Sequence, residues 1–195
     1  MHPALNKNLF LVKEHIGIFK AANNYDIYDP DNGQISLECR EPNLGFFTKL
    51  LRFSDYKTMT PFEVVVSSPD GQKILTVKRG IAFILSDVDV YDGEDNLVGR
   101  FKQKLFSIGG KFDVLNPAGE VLCKFKGNWI SWDFGFEKDG VEFAHVSKKW
   151  AGLGKEFFTS ADNYVLKIDE RIPADNPLRI LILAAVMCID MVLKE

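Results

Sequence analysis

The sequence lacks the features that mark secreted, lipid-anchored and disulfide-rich proteins. It has three cysteines, Cys39, Cys123 and Cys188, which lie far apart and form no CxxC pair. An odd number at such spacing predicts reduced, buried thiols. The first residues, MHPALNKN, contain no apolar h-region, and the last four, VLKE, are not a prenylation box. We therefore expect neither a signal peptide nor a terminal lipid anchor, and a cytoplasmic location.

The sequence also lacks motifs of catalysis and cofactor binding. It contains no G-x-S-x-G elbow and no Walker loop, and GLGK at 152–155 has only part of the glycine spacing of a phosphate loop. His2, His15 and His145 are scattered, without the spacing of metal ligands. We expect no catalytic residue, no metal and no cofactor, and hence a protein that is not an enzyme.

The sequence also has no large excess of positive or negative charge. The formal net charge of the 195 residues is −3, which argues against nucleic-acid binding driven by overall charge. A chain of this length can bury roughly 70% of its unfolded surface without a disulfide. The sequence predicts a single domain over residues 1–195, and we expect a monomer.

One pattern recurs along the sequence, namely two strand-like runs on either side of a polar turn. Glycine supplies positive φ, proline presets φ, and Asn or Asp tolerates the left-handed region, so each turn has a mechanism. The flanking runs alternate and are rich in Val, Ile, Phe and Tyr. The five predicted hairpins turn at Asp31-Asn32-Gly33, Pro69-Asp70-Gly71, Gly93 to Asn96, Pro117-Ala118-Gly119 and Asp139-Gly140.

Two further runs, LFLVK at 9–13 and YVLKI at 164–168, bring the expected strand number to about twelve. So many antiparallel strands must close or stack to hide their edges. The fold class predicted here is therefore mainly β, with a closed antiparallel barrel of about twelve strands. Its interior is wide enough for a helix, because barrel diameter grows with strand number.

The C-terminal segment DNPLRILILAAVMCIDMVLKE predicts that helix. Asn176 can cap it, and Pro177 suits the first helical position. The uninterrupted apolar run 180–189 leaves no solvent-facing side, which predicts a central buried helix. A membrane span is the alternative, but 16 residues give about 24 Å of helix. A span needs about 20 apolar residues. Arg179 and Asp190 also lie inside the segment.

The end of the chain resembles the phospholipid scramblase family, which is grouped with the tubby C-terminal domain and the LURP-one-related proteins. The matching stretches are SKKWAGLGKEFFTSADNYVLKI, the apolar helix with its Ile-Asp pair, and ILTVKRG further upstream. The matching residues are Arg79, Lys148, Trp150, Gly152, Glu156, Phe158, Thr159, Ala161, Asp162, Asn163, Ile189 and Asp190. The resemblance implies a twelve-stranded barrel around a central C-terminal helix, and association with membrane lipids.

The sequence departs from that family where calcium binding is concerned. The corresponding segment of scramblases begins with Asp and closes with an acid twelve positions on, whereas these positions are Ser160 and Arg171 here. A twelve-residue calcium loop also needs Gly at position six, and Val165 stands there. Asp162 is the one good ligand, so we expect no calcium site. Scramblases also carry a proline-rich tail and a cysteine cluster, and this sequence has neither.

Basic residues suggest a binding surface. Arg100, Lys102 and Lys104 alternate along one predicted strand, and Lys124 and Lys126 along another, so each set shares one face. If the strands are close, these five cations form a patch for phospholipid headgroups, each contributing about 1 kcal/mol at an anionic surface. The alternative is the ordinary polar outer face of a half-buried sheet.

Other residues are predicted to have structural roles. Asp190 and Arg179 each lie at the helix end whose dipole disfavours their charge, and about 16 Å separates them, so they cannot pair. We expect Asp190 to accept hydrogen bonds from a strand side chain, an indole or backbone amides, and to lock the helix end into the barrel. Trp150 is expected to pack in the core or cover a barrel end, while Asn176 and Pro177 start the helix.

Together these observations predict a scramblase-related, tubby-like barrel that binds anionic phospholipids reversibly and without calcium, peripheral on the cytosolic membrane face. One short, charged helix offers no lipid path, so binding is expected rather than scrambling itself. The alternative is a scaffold that binds a protein partner and has no lipid role.

Overall fold

The computed structural model describes residues 2–15, 24–42, 60–81, 87–104, 111–128, 130–148 and 163–193. These residues form twelve strands, a short 3-10 helix at Pro3–Asn6 and one α-helix, α1, at Leu178–Leu193. The strands are β1 Leu9–Glu14, β2 Tyr25–Tyr28, β3 Ile35–Arg40, β4 Phe62–Ser67, β5 Lys73–Arg79, β6 Asp87–Asp92, β7 Leu97–Gln103, β8 Lys111–Leu115, β9 Val121–Asn128, β10 Asp133–Lys138, β11 Val141–Ser147 and β12 Asn163–Ile168.

All twelve strands belong to one closed antiparallel barrel. Each strand pairs with its neighbours in the sequence, and β1 closes the sheet by pairing with β12, from Leu9 opposite Lys167 to Lys13 opposite Asn163. Closure gives every strand two partners, so no edge remains to pair with another chain. The predicted fold class is confirmed, including the number of strands.

The five predicted hairpins are all present. The tightest is the β10–β11 turn, where Asp139 and Gly140 have φ of 53° and 82°. Positive φ at both central residues is the type I′ geometry, whose twist matches that of the flanking strands. The remaining four turns join β2 to β3, β4 to β5, β6 to β7 and β8 to β9.

Helix α1 fills the barrel. Every residue from Ile180 to Asp190 is buried, so the helix has no solvent-facing side and meets strand side chains all around. Gly99 on β7 permits one close approach, because a Cβ there would lie 2.3 Å from the Leu115 carbonyl oxygen and 3.0 Å from a methyl of Leu181. The inward faces of β7 to β10 supply a cluster of phenylalanine rings, Phe101, Phe112, Phe125, Phe134 and Phe136.

The two ends of the barrel differ. At one, here called the hairpin end, lie the five short turns and the start of α1. At the other, the distal end, α1 finishes and β1, β3, β5, β7, β9 and β11 end. Trp150 lies outside the described residues, as does the stretch GLGKEFFTSADN at 152–163 apart from Asn163. Within the described ranges, neither helix has the length and apolarity that crossing a bilayer demands.

Candidate functional site

The outward faces of β7, β8 and β9 carry a concentration of lysines near the distal end. Phe101, Phe112 and Phe125 point into the core, so their neighbours along each strand point outward. The outward lysines are Lys102 on β7, Lys104 just after it, Lys111 on β8, and Lys124 and Lys126 on β9. The two sets of cations predicted from the sequence therefore lie on one surface, separated by a single strand.

Three of these lysines stand side by side across adjacent strands. Lys111 is directly opposite Lys126 in the β8–β9 ladder, and the Lys104 amide donates to the Lys111 carbonyl at 3.0 Å. Neighbouring strands are about 4.8 Å apart, so the three positions follow one another at that spacing. We call Lys104, Lys111 and Lys126 the lysine row. Like charges directly opposite each other destabilise a sheet, so the row is not explained by folding.

The lysine row borders a cavity of about 300 Å³. Lys124 also lines it, together with Asp113 and parts of Phe112 and Phe125. Two of the cations have acidic partners, since Lys104 lies 2.9 Å from Asp113 and Lys126 lies 2.5 Å from Glu137. Within the described ranges, neither Lys111 nor Lys124 has a carboxylate at ion-pair distance, and each remains available for an external anion.

Asp113 lies in the middle of these cations. It is opposite Lys102 on one side and Lys124 on the other. Its Oδ2 contacts Lys104, while its Oδ1 is buried and has no hydrogen-bond partner among the described residues. A buried acceptor without a donor is costly. The cavity therefore offers cations for a phosphate, beside one carboxylate whose outer oxygen is already paired with Lys104.

Two of the five predicted cations are less available or more remote. Arg100 forms an ion pair with Asp89 on β6, which raises the pKa of its guanidinium, and it does not line the cavity. Lys102 is outside the cavity lining as well. Lys111, by contrast, was missed by the sequence reasoning. The alternation of KFDVL at 111–115 already turned Lys111 outward, and the hairpin order placed its strand between the other two.

A second constellation lies inside the barrel where α1 approaches the distal end. Asp190 is buried and accepts hydrogen bonds from Tyr25 Oη at 2.5 Å and Tyr164 Oη at 2.7 Å. Burial, and next the charge of Asp190, raise the pKa of the Tyr25 phenol well above its usual value. The hydroxyls come from β2 and β12, the two strands that flank β1. This geometry suits a structural connection between the helix and two strands, β2 and β12.

Arg179 is the corresponding buried charge at the start of α1. Its guanidinium donates to the carbonyls of Leu5 at 2.8 Å and Ile172 at 2.9 Å, to Asn8 Oδ1 at 2.9 Å, and to the Lys7 carbonyl. Burial lowers the pKa of this guanidinium. Arg179 thus ties the segment before β1 to the connection between β12 and the helix.

Asn176 and Pro177 stand immediately before α1. Asn176 Oδ1 accepts the Leu178 amide at 2.9 Å, and its carbonyl accepts the Arg179 amide at 3.0 Å. The Pro177 carbonyl accepts the Ile180 amide at 3.1 Å. Regular helix begins at Leu178, one residue after the position expected for Pro177, within the usual variation of helix boundaries. Asn176 satisfies an amide that the first helical turn leaves without a partner.

The segment compared with a calcium loop is mostly strand in the part that is described. Six of its twelve positions form β12, and Tyr164, at position five, points into the barrel. Arg171, at position twelve, pairs with Asp169 at 2.7 Å and lowers the pKa of that carboxyl to about 2. Across the residues that the structure describes, no three His, Cys, Asp or Glu side chains cluster as metal ligands would.

A larger cavity, of about 1200 Å³, lies at the hairpin end. Its apolar lining includes Leu5, Ile74 and Ile180, and its polar lining is mainly acidic, with Asp92, Glu94 and Asp175. Lys73 is also there, but it pairs with Asp95 at 2.6 Å. This surface would repel phosphates, so the two cavities differ in the ligands they could take.

Comparison with known proteins identifies two yeast relatives of this chain. The altered inheritance rate of mitochondria protein 25 of Saccharomyces cerevisiae is 28% identical over 183 residues, which cover 81% of this chain and 55% of that protein. A phospholipid scramblase family protein of Schizosaccharomyces pombe is 23% identical over 181 residues, covering 85% of this chain and 47% of that protein. The chain thus spans about half the length of these relatives. No solved structure matches.

The family comparison covers nearly the whole chain. The model of the family named Scramblase matches residues 10–195, which include all twelve strands from Phe10 onward and α1. This confirms the resemblance to the scramblase family that was predicted from the sequence, including the upstream segment ILTVKRG. The chain belongs to the scramblase family.

Proposed function

We propose that this barrel binds anionic phospholipid headgroups reversibly through the lysine row and Lys124. The observation that carries the proposal is the cavity of about 300 Å³, which four lysines and one aspartate line. In the described part of the chain, neither Lys111 nor Lys124 has a carboxylate at ion-pair distance, although Asp113 and Glu137 lie opposite Lys124 in the ladders. Membership of the scramblase family, and the printed name of the fission-yeast relative, support a phospholipid as the anion.

An ordinary polar sheet face accounts for Lys102 and Lys124, which alternate with Asp113 and Glu137 across the strands, but it accounts less well for Lys111 and Lys126. On such a face, cations and anions alternate across strands, as Arg100 and Asp89 do between β7 and β6. The lysine row instead places Lys111 opposite Lys126, an arrangement that costs stability in the free protein. An anion bound between them would remove that repulsion. Each cation at an anionic membrane surface contributes roughly 1 kcal/mol.

The test replaces Lys111 and Lys124, the two cavity lysines without a carboxylate at ion-pair distance. Lys111→Gln with Lys124→Gln should weaken binding to vesicles of phosphatidylcholine and phosphatidylserine by roughly 30-fold, because two cations are lost. Co-sedimentation measures the partition coefficient. The matched control is Lys13→Gln with Lys167→Gln, which removes the same charge from exposed positions on β1 and β12. The control should bind within about twofold of the wild type, since its lysines are outside the cavity.

The outcomes separate three interpretations. Equal losses in both double variants would show attraction to overall charge and would reject the cavity as the site. Absence of vesicle binding by the wild type at low salt would reject lipid binding and favour a scaffold for a protein partner. Binding that weakens from 0.1 M to 1 M salt supports the proposal, because the screening length falls from about 10 Å to about 3 Å.

Binding is proposed to be independent of calcium. The support is that β12 occupies half of the segment compared with a calcium loop and that Arg171 holds a cation at its end. Millimolar calcium should leave the melting temperature unchanged, because a ligand that binds the native state must stabilise it. A rise of several degrees that disappears in Asp162→Ala would contradict this.

A further inference from the structure

The exposed large apolar side chains of the described residues occur at both barrel ends, but not equally. Ile81 follows β5 and Ile130 lies between β9 and β10, and their exposed fractions are 67% and 75%. Both are at the distal end. At the hairpin end, Val121 and Val141 start β9 and β11, with exposed fractions of 53% and 48%. The larger and more exposed side chains are thus together at the end where the lysine row lies.

The order of strands in the barrel sets the arrangement along the distal rim. Going from β5 to β10, one meets Ile81 after β5, Lys104 after β7, Lys111 at the start of β8, Lys126 near the end of β9, and then Ile130. The isoleucines therefore flank the lysine row on both sides. Four strand spacings of about 4.8 Å put them roughly 20 Å apart along the rim, within reach of a single flat surface.

The surrounding charges also distinguish the two ends. On the distal rim, Asp87 is opposite Lys102, and Asp133 lies 3.1 Å from His145, so each of these two acids near the lysine row and Ile130 has a basic side chain beside it. At the hairpin end, Val121 follows Glu120 and Val141 precedes Glu142. An anionic bilayer would attract the first surface more strongly than the second, where Lys138, opposite Val141, only partly offsets the acids.

We infer that the distal end is the membrane-docking face, with Ile81 and Ile130 entering the interfacial layer of an anionic bilayer while the lysine row meets lipid phosphates. This inference rests on the proposed headgroup binding and adds to it an orientation and two apolar contacts. Two weak signals act together, as stable attachment to membranes generally requires. Apolar burial holds the rim in the bilayer, and the cations select anionic lipid.

The test places an environment-sensitive fluorophore at single introduced cysteines. Ile81→Cys and Ile130→Cys report on the distal end, and Val121→Cys and Val141→Cys on the hairpin end. The native cysteines do not compete for the label under folding conditions, because Cys39, Cys123 and Cys188 are buried. Burial also raises the pKa of all three thiols, that of Cys123 to about 12, which keeps them protonated and unreactive.

Each labelled protein is mixed with phosphatidylcholine–phosphatidylserine vesicles that carry a nitroxide quencher on the acyl chains. We expect a blue shift and strong quenching at positions 81 and 130, and neither at 121 and 141, with all four proteins co-sedimenting. Co-sedimentation without quenching at 81 and 130 would overturn the inference and leave headgroup binding intact. Failure of all four proteins, and of the unlabelled wild type, to co-sediment would overturn both.

A substitution gives an independent measurement. Ile130→Ser should weaken vesicle binding on the order of tenfold, because a side chain that would be partly buried in lipid is lost. Val121→Ser is the control and should change binding by less than about twofold. Both side chains are exposed, so neither variant should unfold the barrel. Equal binding by Ile130→Ser and the wild type would overturn the apolar contact.

Discussion

The two ends of α1 carry opposite buried charges that the barrel accommodates in different ways. Arg179 is 1% exposed at the start of the helix, and Asp190 is 3% exposed near its end. Each charge is at the end of the helix where the macrodipole opposes it. About 16 Å of helix separates them, so neither compensates the other.

The compensating groups differ in kind. Arg179 donates to three backbone carbonyls and one amide oxygen, all of them neutral groups outside α1, in the 3-10 helix and in irregular segments. Asp190 accepts from two tyrosine hydroxyls on strands. Carbonyls fixed in the backbone cannot turn to other partners, whereas hydroxyls rotate. The start of the helix should therefore depend more on its charged residue than the end does.

The largest expected effect is the loss of Arg179. Arg179→Met keeps the length of the side chain but leaves several buried acceptors without donors, which should lower the free energy of unfolding by roughly 3–5 kcal/mol. Arg171→Met is the matched control at the same barrel end. It removes an exposed ion pair with Asp169 and should leave the free energy of unfolding close to that of the wild type, because water screens exposed pairs. Denaturant unfolding measures both, and similar losses in the two variants would contradict the comparison.

Loss of Asp190 should have a smaller effect. Asp190→Ala leaves two buried hydroxyls without their acceptor, and we expect a decrease of about 1–3 kcal/mol in the free energy of unfolding. Asp190→Asn is the control, because its amide oxygen can still accept one hydroxyl, and it should lose less. If Asp190→Ala lowers the free energy of unfolding as much as Arg179→Met does, the two ends of the helix depend equally on their charged residues and the comparison fails.

Most of the fold could be predicted because its signals are local. Each hairpin was marked by a turn such as Asp139-Gly140, whose residues tolerate the positive φ that the structure has there. The helix was marked by its continuous apolar run and by Asn176, which lies two residues before its first turn. Closure followed from counting strands, since unpaired edges would otherwise remain.

The partners of the buried charges could not be predicted, because they are remote in the sequence. Tyr25 is 165 residues from Asp190, and Leu5 is 174 residues from Arg179. A carbonyl acceptor leaves no trace in the sequence at all, since every residue has one. The candidate binding site could be predicted in part. Alternation showed which lysines face outward, but β8 and its Lys111 became part of the site only through the register of β7, β8 and β9.

High pH should weaken the distal end through Tyr25. Its pKa is raised by burial and by Asp190, so the phenol stays protonated in the folded chain but ionises near pH 10 when unfolded. Stability is therefore lost as the pH rises above about 10, by roughly 1.4 kcal/mol per pH unit. The buried thiols contribute in the same direction, so the measurement is the difference in slope between the wild type and Tyr25→Phe from pH 10 to 11. Identical slopes would show that Tyr25 ionises in the folded state as well.

The smallest expected effect is a gain in stability from a substitution at the start of the helix. The first turn of α1 contains no acidic residue, so neither the helix dipole nor Arg179 has an anion nearby on the helix. Asn176→Asp keeps the cap, because a carboxylate oxygen can accept the Leu178 amide as the amide oxygen does. The added negative charge should stabilise the fold by about 0.3–1 kcal/mol at low salt.

Two controls sharpen this prediction. Asn176→Ala removes the cap and should cost about 1 kcal/mol. The gain from Asn176→Asp should shrink at high salt and in the Arg179→Met background, because both weaken the attraction to positive charge. A gain that is unchanged in that background would assign the effect to the helix dipole alone. A loss of stability in Asn176→Asp would contradict the prediction. It would mean that the neutral acceptors already satisfy Arg179 and that the cost of partly burying the carboxylate exceeds its attraction to positive charge.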